Sequence, residues 1–332
     1  MSIEGIIEFE KQSCPKVILD RERGLEFASS VMDQYSDVKD EEAIFMLALS
    51  LEHPEWKKEL VEQVKKYKQH ISDPEKILAK LRNDFSKIDS TATINDEAES
   101  WEQYVSIFEA QISEILEYFH PTDGEFPKKV LLVPAGNIIK NKNSGFSFHV
   151  DNTAVIVSHP GNVDNAGHEY LHGIINPLTE MIANDLPKEN IISLASVKYK
   201  VDEGYGEHAE SLLNEELIRT YNDIIRHGED LPSLEQFKQV LDELTEESYA
   251  NTLNSEPETR ARLEQMGIHS LLELRGQIDT YFDRYVRNDL RERVYSFYKE
   301  YEQQKITNRN IRFKDFFKEN IRKFLMIETH PS

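Results

Sequence analysis

Apolar residues recur at three- and four-residue intervals over most of the chain, which is the period of an amphipathic helix. Before residue 120 this pattern predicts five helices, at 21–35, 40–51, 54–70, 74–88 and 95–119. Polar stretches and the pairs His53-Pro54 and Asp73-Pro74 separate them, and His120-Pro121 should end the last, because a residue before proline avoids the helical region.

The helical period returns after residue 160. A short helix is predicted from 165 to 175, where Asn176-Pro177 should end it, and a longer one from 207 to 226, ending near Gly228. From Leu234 onward the chain is again helical, with a long amphipathic segment predicted over 270–304.

Strand-like patterns are confined to residues 128–158. Residues 129–133 form a β-branched and aliphatic run, and in 146–150 apolar residues alternate with Ser147 and His149. Asp151-Asn152 then leads into a second β-rich run, so 146–157 predicts a hairpin. The fold class expected is α+β, mainly α, with one small antiparallel sheet or hairpin.

Composition limits the classes of function. The chain has 332 residues and a net charge of −22, which argues against binding to nucleic acid or to anionic lipid. The one cysteine, Cys14, excludes an intramolecular disulfide and any multi-cysteine metal site. Neither a signal peptide nor an apolar run long enough to cross a membrane is recognisable, so a cytoplasmic location is expected.

The sequence His168-Glu169-Tyr170-Leu171-His172 is an H-E-x-x-H motif. Residues four apart share one face of a helix, so the two imidazoles can bind one zinc ion. Glu169 is close enough to accept a proton from a water on that metal, as a general base does. The motif therefore predicts one Zn²⁺ per chain, with His168 and His172 as ligands.

Catalytic zinc usually has three protein ligands, so a third is expected from another element. On the helix predicted at 207–226, Glu216 falls inside the apolar stripe and Glu215 points roughly the opposite way. An inward carboxylate needs a partner, and metal coordination would supply one, so Glu216 is the preferred ligand. Pairing with Arg219 is an alternative for it. Glu210 is the reserve ligand, followed by His208, Glu203 and Glu207.

These residues resemble the gluzincin branch of the zincin metallopeptidases, and most closely a family of uncharacterised bacterial metallopeptidases. The similarity covers residues 128–226. It rests on the H-E-x-x-H motif with an aromatic residue, Tyr170, directly after His-Glu, on Asn176-Pro177, and on Glu216-Leu217-Ile218-Arg219. It implies a zincin-like core, zinc ligands His168, His172 and Glu216, and Glu169 as general base. We expect three regions along the chain: a helical region at 1–120, a zincin-like catalytic core at 121–230 and a helical region at 231–332.

The resemblance implies hydrolysis of a peptide or protein substrate. Zincins pair an edge strand with an extended substrate, a role for which the hairpin at 146–157 is suitably placed, although it can equally be purely structural. An oxyanion-stabilising group is also expected, and Tyr205, Tyr221, His149 and His159 are the candidates.

Two other functions compete with hydrolysis. A di-iron carboxylate protein would use two E-x-x-H motifs, Glu117 with His120 and Glu169 with His172. Against it, Pro121 follows His120 directly and a predicted hairpin separates the motifs. The other alternative is a helical interaction protein with an inactive zincin-like centre, because more than half of the chain flanks the motif region.

Overall fold

The computed structural model describes residues 15–19, 41–68, 71, 73–85, 98–122, 125–134, 145–158, 163–195, 208–282, 286, 288–309 and 311–326. It is mainly helical with one small mixed sheet, as the α+β expectation requires. The chain divides into two compact units, Met1–Gly173 and Ile174–Ser332. The helix predicted at 21–35 lies outside the described residues.

The described elements follow one another in a simple order. The strands are β1 (Lys16–Leu19), β2 (Lys129–Pro134), β3 (Gly145–Val150) and β4 (Thr153–Ser158). The helices are α1 (Glu41–Glu52), α2 (Lys57–Tyr67), α3 (Pro74–Phe85), α4 (Ala98–Phe119), α5 (Val163–Met181), α6 (Lys188–Leu194), α7 (Ala209–Thr220), α8 (Leu234–Glu243), α9 (Glu246–Ser255), α10 (Pro257–Gln265), α11 (Leu271–Gly276), α12 (Ile278–Tyr281), α13 (Asp289–Thr307) and α14 (Phe313–Leu325). Helices α1 to α4 confirm the predicted ones to within a few residues.

The sheet of the first unit has the strand order β1-β2-β4-β3. Strands β3 and β4 form the predicted antiparallel hairpin, and Asp151 in its turn has a φ of 50°. Strand β2 pairs parallel to β4, and β1 pairs parallel to β2. The sheet is thus mixed and not antiparallel throughout, which corrects the expectation. Its restriction to 128–158 was also wrong, because β1 has four residues, too few to show a period.

Helices cover both faces of the sheet. On one face, Phe148, Val150, Val155 and Val157 join a buried core with apolar residues of α1, α2 and α3. On the other face, Tyr104 of α4 hydrogen-bonds its hydroxyl to that of Ser158 at 2.8 Å. The alternation along β3 therefore gives its two faces different neighbours, and residues 145, 147 and 149 face away from the apolar core.

Helix α5 continues past Pro177 to Met181, so the predicted end at Asn176-Pro177 was wrong. A proline inside a helix removes one hydrogen bond and strains the preceding turn. The residues beyond it offset this cost by packing, because Leu178 and Thr179 are buried. The Thr179 hydroxyl also lies 2.5 Å from Oδ1 of Asn214 in α7. Tertiary contacts thus outweigh the local signal.

The second unit contains the remaining helices. A π-helical turn, Tyr221–Ile225, extends α7, and Gly228 follows with a φ of 67°, which confirms the predicted end. Helices α13 and α14 pack through aromatic residues, including Phe297 against Phe316. The long helix predicted over 270–304 is instead divided among α11, α12 and α13, and the side chain of Asn288 caps α13.

Among the residues that the structure describes, every helix is either too short or too polar to cross a membrane.

Candidate metal centre

Helix α5 presents His168 and His172 from successive turns of one face. Their ring centroids are 5.0 Å apart and their planes are inclined by 75°. Both residues are half-buried. The four-residue spacing of the motif thus produces the pair of imidazoles that the sequence predicts.

A carboxylate joins the two imidazoles, and it belongs to Glu215 of α7. One ligand atom from each of His168, His172 and Glu215 lies within 4.8 Å of the other two. The Glu215 side chain is buried. Two imidazole nitrogens and one carboxylate oxygen are common metal donors, so this group could hold a metal ion.

The preference for Glu216 as the third ligand is corrected by the structure. Glu216 is only 1% exposed, and its Oε1 lies 2.5 Å from Nε of Arg291 in α13. Thr220 and Asn288 place polar atoms 3.5 Å from its carboxylate. A buried carboxylate does need a partner, but the partner here is a guanidinium.

The sequence pattern did not identify Glu215 as a buried residue, because α7 is buried on more than one side. Glu215 and Glu216 are both buried, together with Leu212, Leu213, Leu217 and Ile218. An apolar stripe identifies the inward face only where the opposite face meets water. When a helix packs on several sides, two adjacent glutamates can each face a different buried partner.

Two of the reserve ligands, Glu210 and His208, do not join the group. Glu210 pairs with Lys188 at 2.7 Å, and this hydrogen bond is the main reason that the pKa of Glu210 is lowered. His208 is exposed and precedes the first turn of α7. Glu203 and Glu207 lie outside the described residues, so their candidacy is untested.

The acidic member of the motif, Glu169, is buried against β3. The hydroxyl Oγ of Ser147 lies 3.0 Å from Oε2 of Glu169 and 2.9 Å from its backbone carbonyl oxygen. Ser147 is therefore a polar neighbour of the expected general base. Sequence reasoning missed this contact, although the strand alternation had already separated Ser147 from the apolar side of β3.

Ser147 is one of three successive contacts between β3 and α5. A Cβ added at Gly145 would collide with Asn165, and one added at Gly173 would lie 2.8 Å from Cε1 of His149. The contacts advance by two residues along the strand and by four along the helix. Two residues of a strand span about 6.8 Å and four residues of a helix span about 6.0 Å. Because these lengths are similar, the contacts repeat along both elements.

Of the four candidates for oxyanion stabilisation, His149 lies beside the motif. Burial, and secondarily the neighbouring His172, lower the pKa of His149 to about 4, so its imidazole is neutral at pH 7. Tyr221 is buried, with its ring 6.3 Å from that of Tyr298, and belongs to the core of the second unit. Tyr205 and His159 lie outside the described residues.

Among the described strands, β3 lies at an edge of the sheet, as the substrate-binding hypothesis requires. Helix α2 already engages part of its outer backbone. Nε2 of Gln63 lies 2.6 Å from the His149 carbonyl oxygen, and the Asp151 amide donates to Glu59 at 3.3 Å. The end of β3 at 149–151 is therefore covered, and α2 leaves Gly145 and Ser147 as the positions for pairing with a further strand, as far as the described residues show.

The second E-x-x-H sequence is placed differently. His120 ends α4 with a φ of 48°. Within the described part of the chain, Glu117 and His120 join no group of metal-ligand atoms. The arrangement expected of a di-iron centre, with both E-x-x-H motifs facing one site, is not seen there.

Comparison of the chain with protein-family models, with curated proteins and with solved structures gives no match.

Proposed function

We propose that this protein is a zinc-dependent metallopeptidase that hydrolyses peptide bonds. The observation that supports the proposal is the convergence of Glu215 on His168 and His172, with Glu169 buried beside them. A helical H-E-x-x-H pair with a glutamate from a later helix is the donor set of the gluzincin resemblance, now with Glu215 in place of Glu216.

The three side chains fit a zinc ion in donor type and in spacing. Tetrahedral zinc with bonds of about 2.0–2.1 Å holds its donors about 3.3 Å apart. The ligand atoms of His168, His172 and Glu215 lie within 4.8 Å of one another. Small side-chain rotations would bring them to the separation that zinc requires. Three protein donors would leave one position for water, which is the arrangement of catalytic rather than structural zinc.

Each residue has a defined task in this proposal. His168, His172 and Glu215 would hold the ion, which when bound lowers the pKa of a water to near neutrality and polarises a carbonyl. Glu169 would accept a proton on its carboxylate from the attacking water and donate it to the leaving amine. Its burial removes competing water, which strengthens electrostatic interactions around the carboxylate.

The open part of β3, at Gly145 and Ser147, would pair with an extended substrate backbone. That mode of recognition depends on main-chain hydrogen bonds, so a peptide or an unfolded chain is the substrate class that we expect. The net charge of −22 favours cationic peptides over anionic ones at low ionic strength.

The test is hydrolysis of a fluorogenic peptide library by the zinc-loaded protein, with and without a chelator. Glu169→Gln should lower kcat about 10²- to 10⁴-fold, the usual contribution of a general base, while zinc content stays at one per chain. Glu180→Gln is the matched control, because Glu180 is an exposed glutamate on the same helix.

Three results would contradict the proposal: no chelator-sensitive cleavage, equal kcat for Glu169→Gln and the wild type, or two irons per chain. Retained zinc with no hydrolysis of any library member would favour the alternative of an inactive zincin-like interaction protein.

A further inference from the structure

We infer that Ser147 is a positioning residue that holds the carboxylate of Glu169 in its working orientation. The inference rests on the proposed function, because it assigns a helper to the proposed general base. In this role the Ser147 hydroxyl would touch neither substrate nor metal, and only the backbone of the residue would be available to pair with a substrate. It would act only through Glu169, by donating its hydroxyl proton to Oε2.

The contact has the geometry of a hydrogen bond. The 3.0 Å between Oγ and Oε2 is at the long end of the range for a hydroxyl donor. A hydrogen bond to an ionised acceptor is about twice as strong as one between neutral groups. Because Glu169 is buried, bulk water cannot easily take the place of this donor. Loss of the hydroxyl would therefore leave the carboxylate without a hydrogen bond that it makes in the folded protein.

Ser147 is itself held in place by the contacts on either side of it. Gly145 lets β3 approach Asn165, and Gly173 lets the ring of His149 pack on α5. At both positions an added methyl group would force its neighbour to move. A shift of β3 along α5 would disrupt both contacts, so they favour the register that places the hydroxyl opposite Glu169.

Helix α2 adds a second restraint at the end of the strand. Gln63 donates to the His149 carbonyl and Glu59 accepts from the Asp151 amide, which restrains the backbone at both of these positions. The hydroxyl is thus carried by a strand that is paired on one side and anchored at its end. Groups on such elements hold a catalytic geometry more precisely than groups on loops.

A purely structural role predicts a different outcome. The Ser147 hydroxyl also lies 2.9 Å from the backbone carbonyl of Glu169. If the proton goes mainly to that carbonyl, the hydroxyl only ties the strand to the helix. Its loss would then lower stability and leave kcat unchanged, whereas loss of a positioning contact lowers kcat and leaves KM unchanged.

The experiment compares Ser147→Ala, Ser147→Thr and Ser158→Ala in the full-length, zinc-loaded protein. Ser158→Ala is the matched control, since it removes a buried hydroxyl from the same sheet that bonds Tyr104 rather than Glu169. The readouts are kcat, KM, zinc affinity by competition with a chromogenic chelator, and the thermal midpoint.

We expect Ser147→Ala to lower kcat about 10- to 100-fold, part of the general-base contribution, with KM and zinc affinity within about twofold of the wild type. Ser147→Thr keeps the hydroxyl and should restore kcat to within about threefold. In the Glu169→Gln background, Ser147→Ala should cost nothing further, because the hydroxyl would act through the missing carboxylate.

The failures can be told apart. If the wild type shows no chelator-sensitive hydrolysis, the proposed function and this inference both fall. If the wild type is active and Ser147→Ala keeps its kcat, only the inference falls. It also falls if Ser158→Ala lowers kcat equally, if zinc affinity drops in parallel, or if the loss persists in the Glu169→Gln background.

Discussion

Two adjacent glutamates of α7 have different partners. Glu215 lies with the two histidines of the motif and is also 3.3 Å from Nε of Arg219. Glu216 forms a buried ion pair with Arg291, whose side chain is 13% exposed. The first arrangement is suited to binding a metal, and the second to holding α7 against α13.

Replacing each glutamate by alanine should separate these roles. We expect Glu215→Ala to weaken zinc binding by more than about 100-fold, the upper end of the loss for residues that only orient a ligand. The fold should persist. Chelator competition measures the zinc affinity, and an unchanged affinity would remove Glu215 from the ligand set.

Glu216→Ala should instead destabilise the fold. It leaves the guanidinium of Arg291 buried without its carboxylate, which typically costs about 3–5 kcal/mol. Urea unfolding of the apoprotein measures this loss. A variant of wild-type stability that had lost zinc binding would reverse our assignment of the two glutamates.

Among the elements, the packing of β3 on α5 is the one that organises the motif. The β3 residues that face α5 are small, polar or both, whereas Phe146, Phe148 and Val150 face the apolar core. Gly173 follows His172 directly and provides the space that His149 fills. The register of a strand on a helix therefore decides which side chains surround Glu169.

Gly173→Ala tests this packing. The added methyl would collide with the His149 ring, and such overpacking typically costs about 1–3 kcal/mol. Gly276→Ala is the control, because its added Cβ would meet no atom of another element within 4 Å, so we expect no loss of stability. Thermal unfolding of both variants is the measurement.

The cause of the loss can be checked with a second substitution. The double variant Gly173→Ala/His149→Ala lacks the imidazole ring that the new methyl group would meet. It should therefore recover part of the stability lost by Gly173→Ala alone. Strict additivity of the two changes would show that the methyl and the imidazole do not meet.

For the whole molecule, zinc should act as a stabilising ligand. A metal that binds the folded chain and not the unfolded one raises the free energy of unfolding by about 2.7 kcal/mol at 100 times its Kd. We therefore expect the thermal midpoint to rise with added Zn²⁺ and to fall on chelation. Differential scanning calorimetry of apo and zinc-loaded samples measures this shift.

The control for that shift is Glu215→Ala, which should show a much smaller response at the same zinc concentration. Equal responses of the wild type and the variant would indicate that the stabilising ion binds elsewhere on this acidic chain.

The sequence by itself determined the features that depend on neighbouring residues. Periodicity located helices α1 to α4 and the β3–β4 hairpin, and the four-residue spacing of His168 and His172 put both rings on one face of α5. These predictions succeeded because backbone geometry and side-chain direction repeat over a few residues.

Only the tertiary structure decided the features that depend on distant residues. It paired β1 with β2, carried α5 past Pro177, brought Glu215 rather than Glu216 to the histidines, and set Ser147 against Glu169. In each case the deciding contact comes from another element. A helical period shows that a face is buried, but the partner that covers the face determines which carboxylate meets a guanidinium and which meets two imidazoles.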